Sequence, residues 1–419
     1  MTAEYIDNML QMDNPPIFNN SFKKTDYYRI PPIEGIANVN TNGNINFLCN
    51  NKSMLLALFD SLLKVRIKIS NVSDKLTIEH NAILRMFSSA KLMFGRNELE
   101  SMTSSLGEAS TMVNLISNPE SFKRTYGQLS CHIPDVAAKA DKDNKSFVLR
   151  ANLFNKDEPT LFIPLRLIFG FCDYRKVLHQ IDNILLTLNR KTDAEIIKDI
   201  FWGELSKDPA DATKTVNPKI SFTEFEWWIP NMTPNLSAET FFNKRLNSNK
   251  NIEMTFMKRH SASTKFSSSK YQWTVAGISK QIRYMFFGFK TEDPDITKNN
   301  SLFTLKNILT IQVRVNGSLY PIQKMTMDVS KGDVSEPYLS YIEACNWFGN
   351  EAQLSLIEYR DYYPIICINT SSQSELLKSG NECSVEVEKS NSDPVTIFCL
   401  LLEDNRISFN LGNGVVSLL

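Results

Sequence analysis

Apolar and polar residues alternate along much of the chain, which is the period of strands that bury one face of a sheet. Over residues 63–69 every second residue is Leu, Val or Ile, and the residues between them are Lys64, Arg66 and Lys68. The sequence therefore predicts a half-buried antiparallel strand here, with one apolar and one basic face. Similar patterns predict further strands at 83–94, 146–154, 160–165, 183–188, 219–229, 252–257, 271–276, 282–289, 311–315, 320–327, 354–359, 364–369, 383–387, 395–402 and 407–411.

A tight turn and a few short helices interrupt these strands. The pair Asn316-Gly317 lies between two predicted strands, and it is a strong hairpin signal because both residues tolerate positive φ. Helical spacing of apolar residues predicts short helices at 109–117, 193–202 and 337–348. Many short strands without a regular strand–helix alternation favour sandwiches or barrels over a parallel sheet. The predicted fold class is therefore all-β with short inserted helices.

Shifts in composition predict how the chain is divided. Residues 1–40 are a predicted N-terminal arm, because two Pro-Pro pairs interrupt any regular period. The polar stretch 204–218 contains two further prolines and is the predicted linker. The two strand-rich halves, 41–203 and 219–419, are the predicted domains.

The charge balance argues against a protein whose main task is to condense nucleic acid. The chain has 419 residues, with 46 Lys and Arg against 46 Asp and Glu, so the formal net charge is zero. Broad nucleic-acid binding normally needs a basic excess. A locally basic surface stays compatible with this composition.

The cysteines and apolar runs indicate folding in a reducing compartment. The seven cysteines form no CxxC pair and most lie in apolar runs, so they are predicted to be reduced and buried. Residues 1–14 lack the basic and apolar regions of a signal peptide, and secretion is not expected. The apolar run 161–171 contains Arg166 and is too short to span a bilayer.

No motif for catalysis or cofactor binding is present. The sequence has no P-loop, no HExxH and no Cys/His spacing typical of zinc, so no cofactor, metal or catalytic residue is predicted. His132 follows Cys131 directly, but adjacent residues of a strand point to opposite faces and pair poorly. The acidic cluster 292–295 has the composition of a solvated turn. The chain is therefore not expected to be an enzyme.

The aromatic pair Trp227-Trp228 and two basic patches have alternative interpretations. The tryptophans would stack on a sugar or a base if exposed, but on a strand one of them faces the core and the other a rim or an interface. The basic strand face and the cluster 258–260 would contact either phosphate or a neighbouring subunit. Each patch is too short to bind nucleic acid tightly by itself.

Several segments, in order and spacing, resemble the major capsid proteins of Polinton/Maverick elements and adintovirus-like viruses. The resemblance covers residues 25–419, and it rests on segments such as Phe-Glu-Trp-Trp-Ile-Pro-Asn and Val-Asn-Gly-Ser-Leu-Tyr-Pro rather than on a catalytic signature. The matching segments are 62–69, 163–178, 185–190, 225–234, 286–289, 315–321 and 362–366.

The resemblance implies a double jelly-roll, which is two eight-stranded antiparallel sandwiches in tandem. It implies a structural protein of the virion capsid, made in the host cytoplasm or nucleus, that forms homotrimers with a pseudo-hexagonal outline. These trimers would tile an icosahedral shell, with a single jelly-roll penton protein at the vertices and only indirect contact with double-stranded DNA. Residues predicted near packing between jelly-rolls or subunits are Trp227, Trp228, Tyr362 and Tyr363.

Three alternatives remain open at this point. A carbohydrate-binding or attachment sandwich needs exposed aromatic residues around a shallow groove. A hydrolase needs a clustered acid/base pair, for which the sequence has no recognisable setting. A capsid-like protein that a host has retained for another use would form particles without packaging a genome.

Overall fold

A computed structural model describes residues 21–41, 43–50, 55–137, 139–179, 182–211, 213–247, 251–276, 280–372, 382–410 and 415–418. It consists mainly of antiparallel sheets with short helices between the strands, as predicted. Two sandwiches follow one another along the chain. In each one we call the sheet that contains the sandwich's longest strand the front sheet and the other the back sheet.

The first sandwich extends from residue 22 to residue 234. Its strands are β1 (Phe22–Ile30), β2 (Asn44–Cys49), β3 (Leu55–Leu56), β4 (Leu62–Ser70), β5 (Leu76–Ile78), β6 (Phe87–Phe94), β7 (Asn97–Met102), β8 (Thr160–Pro164), β9 (Leu178–His179), β10 (Ile184–Arg190), β11 (Phe201–Gly203), β12 (Ser206–Lys207), β13 (Thr215–Val216) and β14 (Lys219–Pro234). Its helices are α1 (Ile36–Val39), α2 (Ala82–Arg85), α3 (Leu106–Ser117), α4 (Glu120–Arg124), α5 (Tyr126–Leu129), α6 (Lys145–Phe154) and α7 (Asp193–Ile200).

Helix α8 (Leu236–Asn247) leads into the second sandwich. The strands there are β15 (Asn251–Phe266), β16 (Lys270–Thr274), β17 (Ile282–Lys290), β18 (Ile308–Val315), β19 (Ser318–Thr326), β20 (Ile366–Asn369), β21 (Cys383–Lys389), β22 (Val395–Asn410) and β23 (Val415–Leu418). Two helices, α9 (Ser335–Trp347) and α10 (Leu356–Asp361), lie between β19 and β20.

The two sandwiches repeat the same strand order. The first front sheet has the order β8-β4-β14 with β1 on the far side of β14, and the second has β20-β17-β22-β15. The back sheets are β2-β10-β6-β7 and β16-β21-β18-β19. Eight strands in each half thus correspond one to one along the chain, which is the arrangement of two jelly-rolls in tandem. The predicted double jelly-roll fold is confirmed.

Strand β22 is apolar on both faces because each face covers a different core. Ile397 and Leu401 point between the sheets of the second jelly-roll, whereas Leu400 and Leu402 belong to a core shared with the first jelly-roll. A strand covered on both sides has a nearly continuous apolar sequence. The run at 395–402 therefore places the second front sheet between the two sandwich interiors.

The pairing of β1 and β14 disagrees with the domain boundaries predicted from sequence. Strand β14 follows the predicted linker, yet it pairs with β4 of the first jelly-roll, with Trp228 opposite Leu62. Strand β1 falls inside the predicted arm, yet it pairs with β14 from Phe22 to Ile30. Strand partners are distant in sequence, so composition did not show them. We propose a boundary after β14, within 235–250; residues 1–20 of the predicted arm lie outside the described residues.

Three strand predictions were wrong in whole or in part. Residues 145–154 form helix α6, whose N-terminus is capped by the Asn144 side chain, which accepts hydrogen bonds from Ser146 N and Phe147 N at 3.1 Å each. Residues 356–361 form helix α10, which begins with a capping box between Ser355 and Glu358. The segment predicted at 83–94 starts as helix α2 before strand β6.

Other local predictions are confirmed. The Asn316-Gly317 turn joins β18 to β19 and both residues have positive φ, 50° and 85°. Helices occur at the three predicted places, as α3, α7 and α9. All seven cysteines are buried thiols.

Candidate functional site

The surface where the two jelly-rolls meet holds several buried polar groups that link distant parts of the chain. We call it the inter-roll junction. Its parts from the first jelly-roll are helix α3 and the segments 79–85, 100–105, 118–135 and 165–173, and its parts from the second are the front sheet and the segments 299–303 and 350–363. Helix α3 is buried along almost its whole length. The Tyr341 hydroxyl donates to Leu115 O at 2.9 Å, and Gln353 Nε2 donates to Asn114 O at 2.7 Å.

A glycine lets helix α3 approach the second front sheet closely. A Cβ atom at Gly288 would lie 2.8 Å from Met112 Cε and 2.8 Å from the Phe303 ring. Both distances are shorter than a carbon–carbon contact allows. Because Gly288 has no side chain, helix α3 packs directly against the backbone of β17 at this position.

A cluster of buried charges lies at one end of α3. The Arg85 guanidinium is 2.5 Å from Asp199 Oδ1 and 3.2 Å from Glu108 Oε1, and Lys290 Nζ of the second jelly-roll is 2.6 Å from Glu108 Oε1. Burial opposes ionisation of Glu108, but Lys290 and Arg85 outweigh it and hold the pKa of that carboxyl well below its usual range. Charges taken out of water are tolerated only when they are paired in this way.

Glu79 extends this cluster to a loop of the second jelly-roll. Its Oε1 accepts hydrogen bonds from Asn300 N at 2.6 Å and from Asn300 Nδ2 at 3.1 Å, and its Oε2 is 4.0 Å from Arg85 Nε. Burial raises the pKa of the Glu79 carboxyl to about 8, although Arg85 favours its charged form. Glu79 thus joins the two halves mainly through hydrogen bonds.

A second buried ion pair lies beside Tyr363, one of the four residues predicted from sequence to lie near packing between jelly-rolls or subunits. Arg150 Nη2 is 2.9 Å from both oxygens of Asp135, and the Tyr363 hydroxyl accepts a hydrogen bond from Asp135 N at 2.9 Å. Asn299 Nδ2 also donates to Asp135, at 2.8 Å. Tyr363 is fully buried within the inter-roll junction.

A third contact involves the basic cluster 258–260. Glu100 of β7 accepts hydrogen bonds from Gly170 N at 2.8 Å, Phe171 N at 2.9 Å and Arg259 N at 2.7 Å. The Arg259 side chain is buried and pairs with Asp173. The charge of Arg259 is therefore neutralised within the chain and is not available to bind nucleic acid.

The other predicted interface residues occupy different environments. Trp227 is fully buried in the core of the first jelly-roll, so it offers no surface to a neighbouring chain. Trp228 is half-buried on the outer face of the first front sheet, where the Arg29 guanidinium lies 4.3 Å from its ring centre and Tyr27 lies 5.4 Å away. Tyr362 is half-buried, and its backbone oxygen accepts from Phe303 N at 2.9 Å.

The basic face of β4 is neutralised within the chain. Lys64 and Arg66 pair with Glu224 on the adjacent strand β14, the latter at 3.6 Å, and Lys68 lies 3.3 Å from Glu158. Cross-strand pairs of opposite charge stabilise a sheet. This face is thus a mixed charged surface and not a phosphate-binding strip.

The neighbours Cys131 and His132 have no catalytic arrangement. Burial raises the pKa of the Cys131 thiol to about 11 and lowers the pKa of His132 to about 3. The thiol keeps its proton at neutral pH, and the imidazole is a poor base there. His132 instead packs against His80, with ring centres 4.7 Å apart.

His80 is a buried histidine of the inter-roll junction, and its surroundings predict a stability that depends on pH. The side chain is fully buried beside His132 and Tyr363, and within the described residues neither ring nitrogen has a hydrogen-bond partner. Burial, with His132, Arg150 and Arg85, lowers the pKa of His80 well below 6.5. The unfolded chain therefore binds a proton below pH 6.5 that the folded chain does not, and stability falls as the pH falls.

We expect His80→Phe to remove this dependence. One such group contributes at most about 1.4 kcal/mol per pH unit below pH 6.5. The wild type should lose more unfolding free energy than the variant between pH 7.5 and 5, as measured by denaturant titration. Parallel stability curves for the two proteins would contradict this role.

Within the described ranges, no group of three or more His, Cys, Asp or Glu side chains is placed to hold a metal ion. The same part of the chain contains no helix that is long and apolar enough to cross a membrane.

Comparison with known proteins agrees with the strand order. The family model of the double jelly roll-like domain matches residues 78–407, most of the chain. This chain belongs to that family. A search of curated protein sequences finds no relative.

Solved structures of viral proteins share the fold. A chain of the Sputnik virophage is 11% identical, with a TM-score of 0.64 over 99% of this chain and 92% of that one. The Faustovirus major capsid protein is 11% identical, with a TM-score of 0.61 over 94% of this chain and 92% of its own. The mavirus major capsid protein is 9% identical, with a TM-score of 0.56 over 94% and 89%. At these identities the likeness shows the fold.

Sequence reasoning missed the charged cluster of the inter-roll junction. Arg85, Glu108 and Asp199 come from three separate segments, and only the fold brings them together. A weak signal was present, because Arg85 interrupts the apolar run Ala-Ile-Leu-Arg-Met-Phe. A charge in such a run indicates either an exposed position or a buried ion pair.

Proposed function

We propose that this protein is a major capsid protein, and that it belongs to the group of Polinton/Maverick and adintovirus-like capsid proteins. Its role is structural and its location is the virion capsid. The observation that carries this proposal is the internal repeat of two jelly-rolls fixed to each other by the inter-roll junction. Similar structures include proteins described as the major capsid proteins of Faustovirus and mavirus.

In this proposal three chains form a trimer with a pseudo-hexagonal outline, because each chain supplies two similar jelly-rolls. Trimers tile an icosahedral shell around double-stranded DNA, and a separate penton protein fills the vertices. Stable interfaces between subunits bury on the order of 2,000 Å². The polar and apolar contacts inside each chain keep the two jelly-rolls in one orientation while such interfaces form.

The deciding experiment measures the mass of the purified protein by light scattering and images the same fraction by electron microscopy. Trimers with a hexagonal outline, or closed shells, would support the proposal. A monomer that never assembles, even with a vertex protein co-expressed, would contradict it. Packaged nucleic acid in the shells would distinguish a viral capsid from a capsid-like protein retained by a host.

Trp228 and Tyr362 are the two predicted residues that keep exposed surface, and we place them near contacts between subunits. Trp228→Ala is expected to weaken the trimer, because a large aromatic side chain at an interface often carries much of the binding energy. Light scattering over a dilution series measures the effect. Phe241→Ala, at a 58% exposed aromatic on α8, is the matched control. Trimers of Trp228→Ala as stable as those of the control would exclude an interface role.

A further inference from the structure

The internal repeat relates the surfaces of the two jelly-rolls as well as their strands. Strand β7 and helix α3 in the first jelly-roll correspond to β19 and α9 in the second, because each pair follows the same strands in the same order. The first front sheet, with β1 and β14 at one side, corresponds to the second, with β15 and β22. A contact made by one jelly-roll can therefore be compared with the matching place on the other.

Inside the chain, the β7–α3 side of the first jelly-roll packs on the outer face of the second front sheet. Glu100 near the end of β7 accepts from Arg259 N of β15 at 2.7 Å. Ser105, directly before α3, donates to Ser263 Oγ at 3.1 Å. Met112 of α3 reaches Gly288 of β17. The β7–α3 edge of the first jelly-roll thus packs closely against the front sheet of the second jelly-roll.

The matching edge of the second jelly-roll has exposed apolar side chains. Ile322 on β19 is 84% exposed, and Leu339 on α9 is 56% exposed. Leu356 and Ile357 at the start of α10 are 45% and 62% exposed. We call these four residues the β19–α10 patch. They lie on neighbouring elements, because α9 contacts both β19 and α10. Large apolar side chains exposed on adjoining elements indicate an interaction surface.

The matching front sheet of the first jelly-roll also has an open outer face. Tyr27 is 45% exposed beside the half-buried Trp228. In the first front sheet Arg29 lies opposite Trp228. In the second front sheet Arg259 lies opposite Leu402, close to the matching position. This face has the aromatic and basic groups of an interface.

We propose that the β19–α10 patch of one chain packs against the outer face of the first front sheet of a second copy, around Tyr27, Arg29 and Trp228. This inference rests on the proposed trimer and names its contact surfaces. A ring of three chains then contains six similar junctions, alternately within and between chains. Such a ring closes when the six rotations from one jelly-roll to the next add up to a full turn.

The outer face of the second front sheet, which is covered within the chain, is apolar, whereas the outer face of the first front sheet is charged. The outer residues of β17, which are covered within the chain, include Phe286 and Gly288, whereas those of β4 are Lys64, Arg66 and Lys68. A surface that stays in contact with water until another chain binds must remain soluble, and paired charges keep it hydrated. The exposed Glu343 of α9 also complements Arg29 in charge.

Photo-crosslinking tests which surfaces meet. A benzophenone amino acid at Ile357 of the full chain should, after irradiation of the assembled protein, give dimers and trimers on a denaturing gel. Mass spectrometry should find the crosslinks on peptides from 22–30 or 219–234. Crosslinks between chains that fall instead on residues 251–410 would overturn this inference and leave the trimer intact. A protein that is monomeric throughout would overturn the proposed function as well.

A charge in the patch should weaken assembly. Ile357→Asp is expected to raise the concentration needed for trimer formation at least about tenfold, because one apolar side chain loses its buried partner. Leu236→Asp, at a 74% exposed leucine on α8 outside the patch, is the matched control and should assemble as the wild type does. Equal assembly of both variants would contradict the proposed contact.

Discussion

Replacing Arg85 with methionine is expected to lower the free energy of unfolding by about 3–5 kcal/mol. Arg85 is the central cation of the charged cluster, and without it Asp199 and Glu108 lose a partner at 2.5 Å and 3.2 Å. Water cannot compensate, because these carboxylates are almost fully buried. Denaturant titration followed by tryptophan fluorescence measures the change, since Trp202 and Trp227 are buried.

Lys75→Met is the control for this loss of charge. Lys75 pairs with Glu204 at 2.8 Å, but both side chains are at least 70% exposed. Exposed ion pairs contribute little, so this variant should unfold at nearly the same denaturant concentration as the wild type. If Arg85→Met also unfolded there, the buried cluster would not hold the junction together.

Gly170→Ala should separate the two jelly-rolls locally and cost about 3 kcal/mol or more. A Cβ atom at this position would lie 1.7 Å from the backbone oxygen of Met257, which belongs to β15 of the second jelly-roll. A backbone atom inside a sheet cannot move aside as a side chain can. The displacement would also break the hydrogen bond from Gly170 N to Glu100.

Unfolding of this variant should lose cooperativity, because the jelly-rolls would no longer stabilise each other. Calorimetry and protease digestion would then detect two transitions. Gly349→Ala is a useful contrast, since its φ is 72° but nothing lies within 4 Å of the added Cβ. That variant should cost about 1–2 kcal/mol from backbone strain alone. Equal losses in the two variants would argue against the close approach at Gly170.

Local features of the fold were readable from sequence, and long-range features were not. The alternation around 63–69 predicted β4, and Asn316-Gly317 predicted the hairpin of β18 and β19, because both depend on neighbouring residues. Strand β14 was predicted as a strand but assigned to the wrong half. Its partners β4 and β1 lie about 150 to 200 residues earlier, and no local pattern encodes that pairing.

Helix α10 shows a different kind of error. The sequence Ser355-Leu-Ile-Glu358 is a capping box and was available as a signal, but the apolar residues around it favoured a strand. For the candidate site, the aromatic segments were found while the charges were not. Tyr363 and Trp228 lie in distinctive segments, whereas Arg85 and Glu108 acquire partners only when separate segments meet.

The order of the strands along the chain also constrains how the protein is made. The first front sheet cannot be completed before β14 has left the ribosome, because β14 supplies the central strand that β1 and β4 need. Helix α3 and Glu108 obtain their contacts in the second jelly-roll only after β17 and β22 have been synthesised, about 180 to 300 residues later. During that interval an apolar helix and several charges without their final partners are open to water, and such surfaces attract chaperones or aggregate. Translation speed through the second jelly-roll is therefore expected to limit the yield of folded protein more than translation of the first.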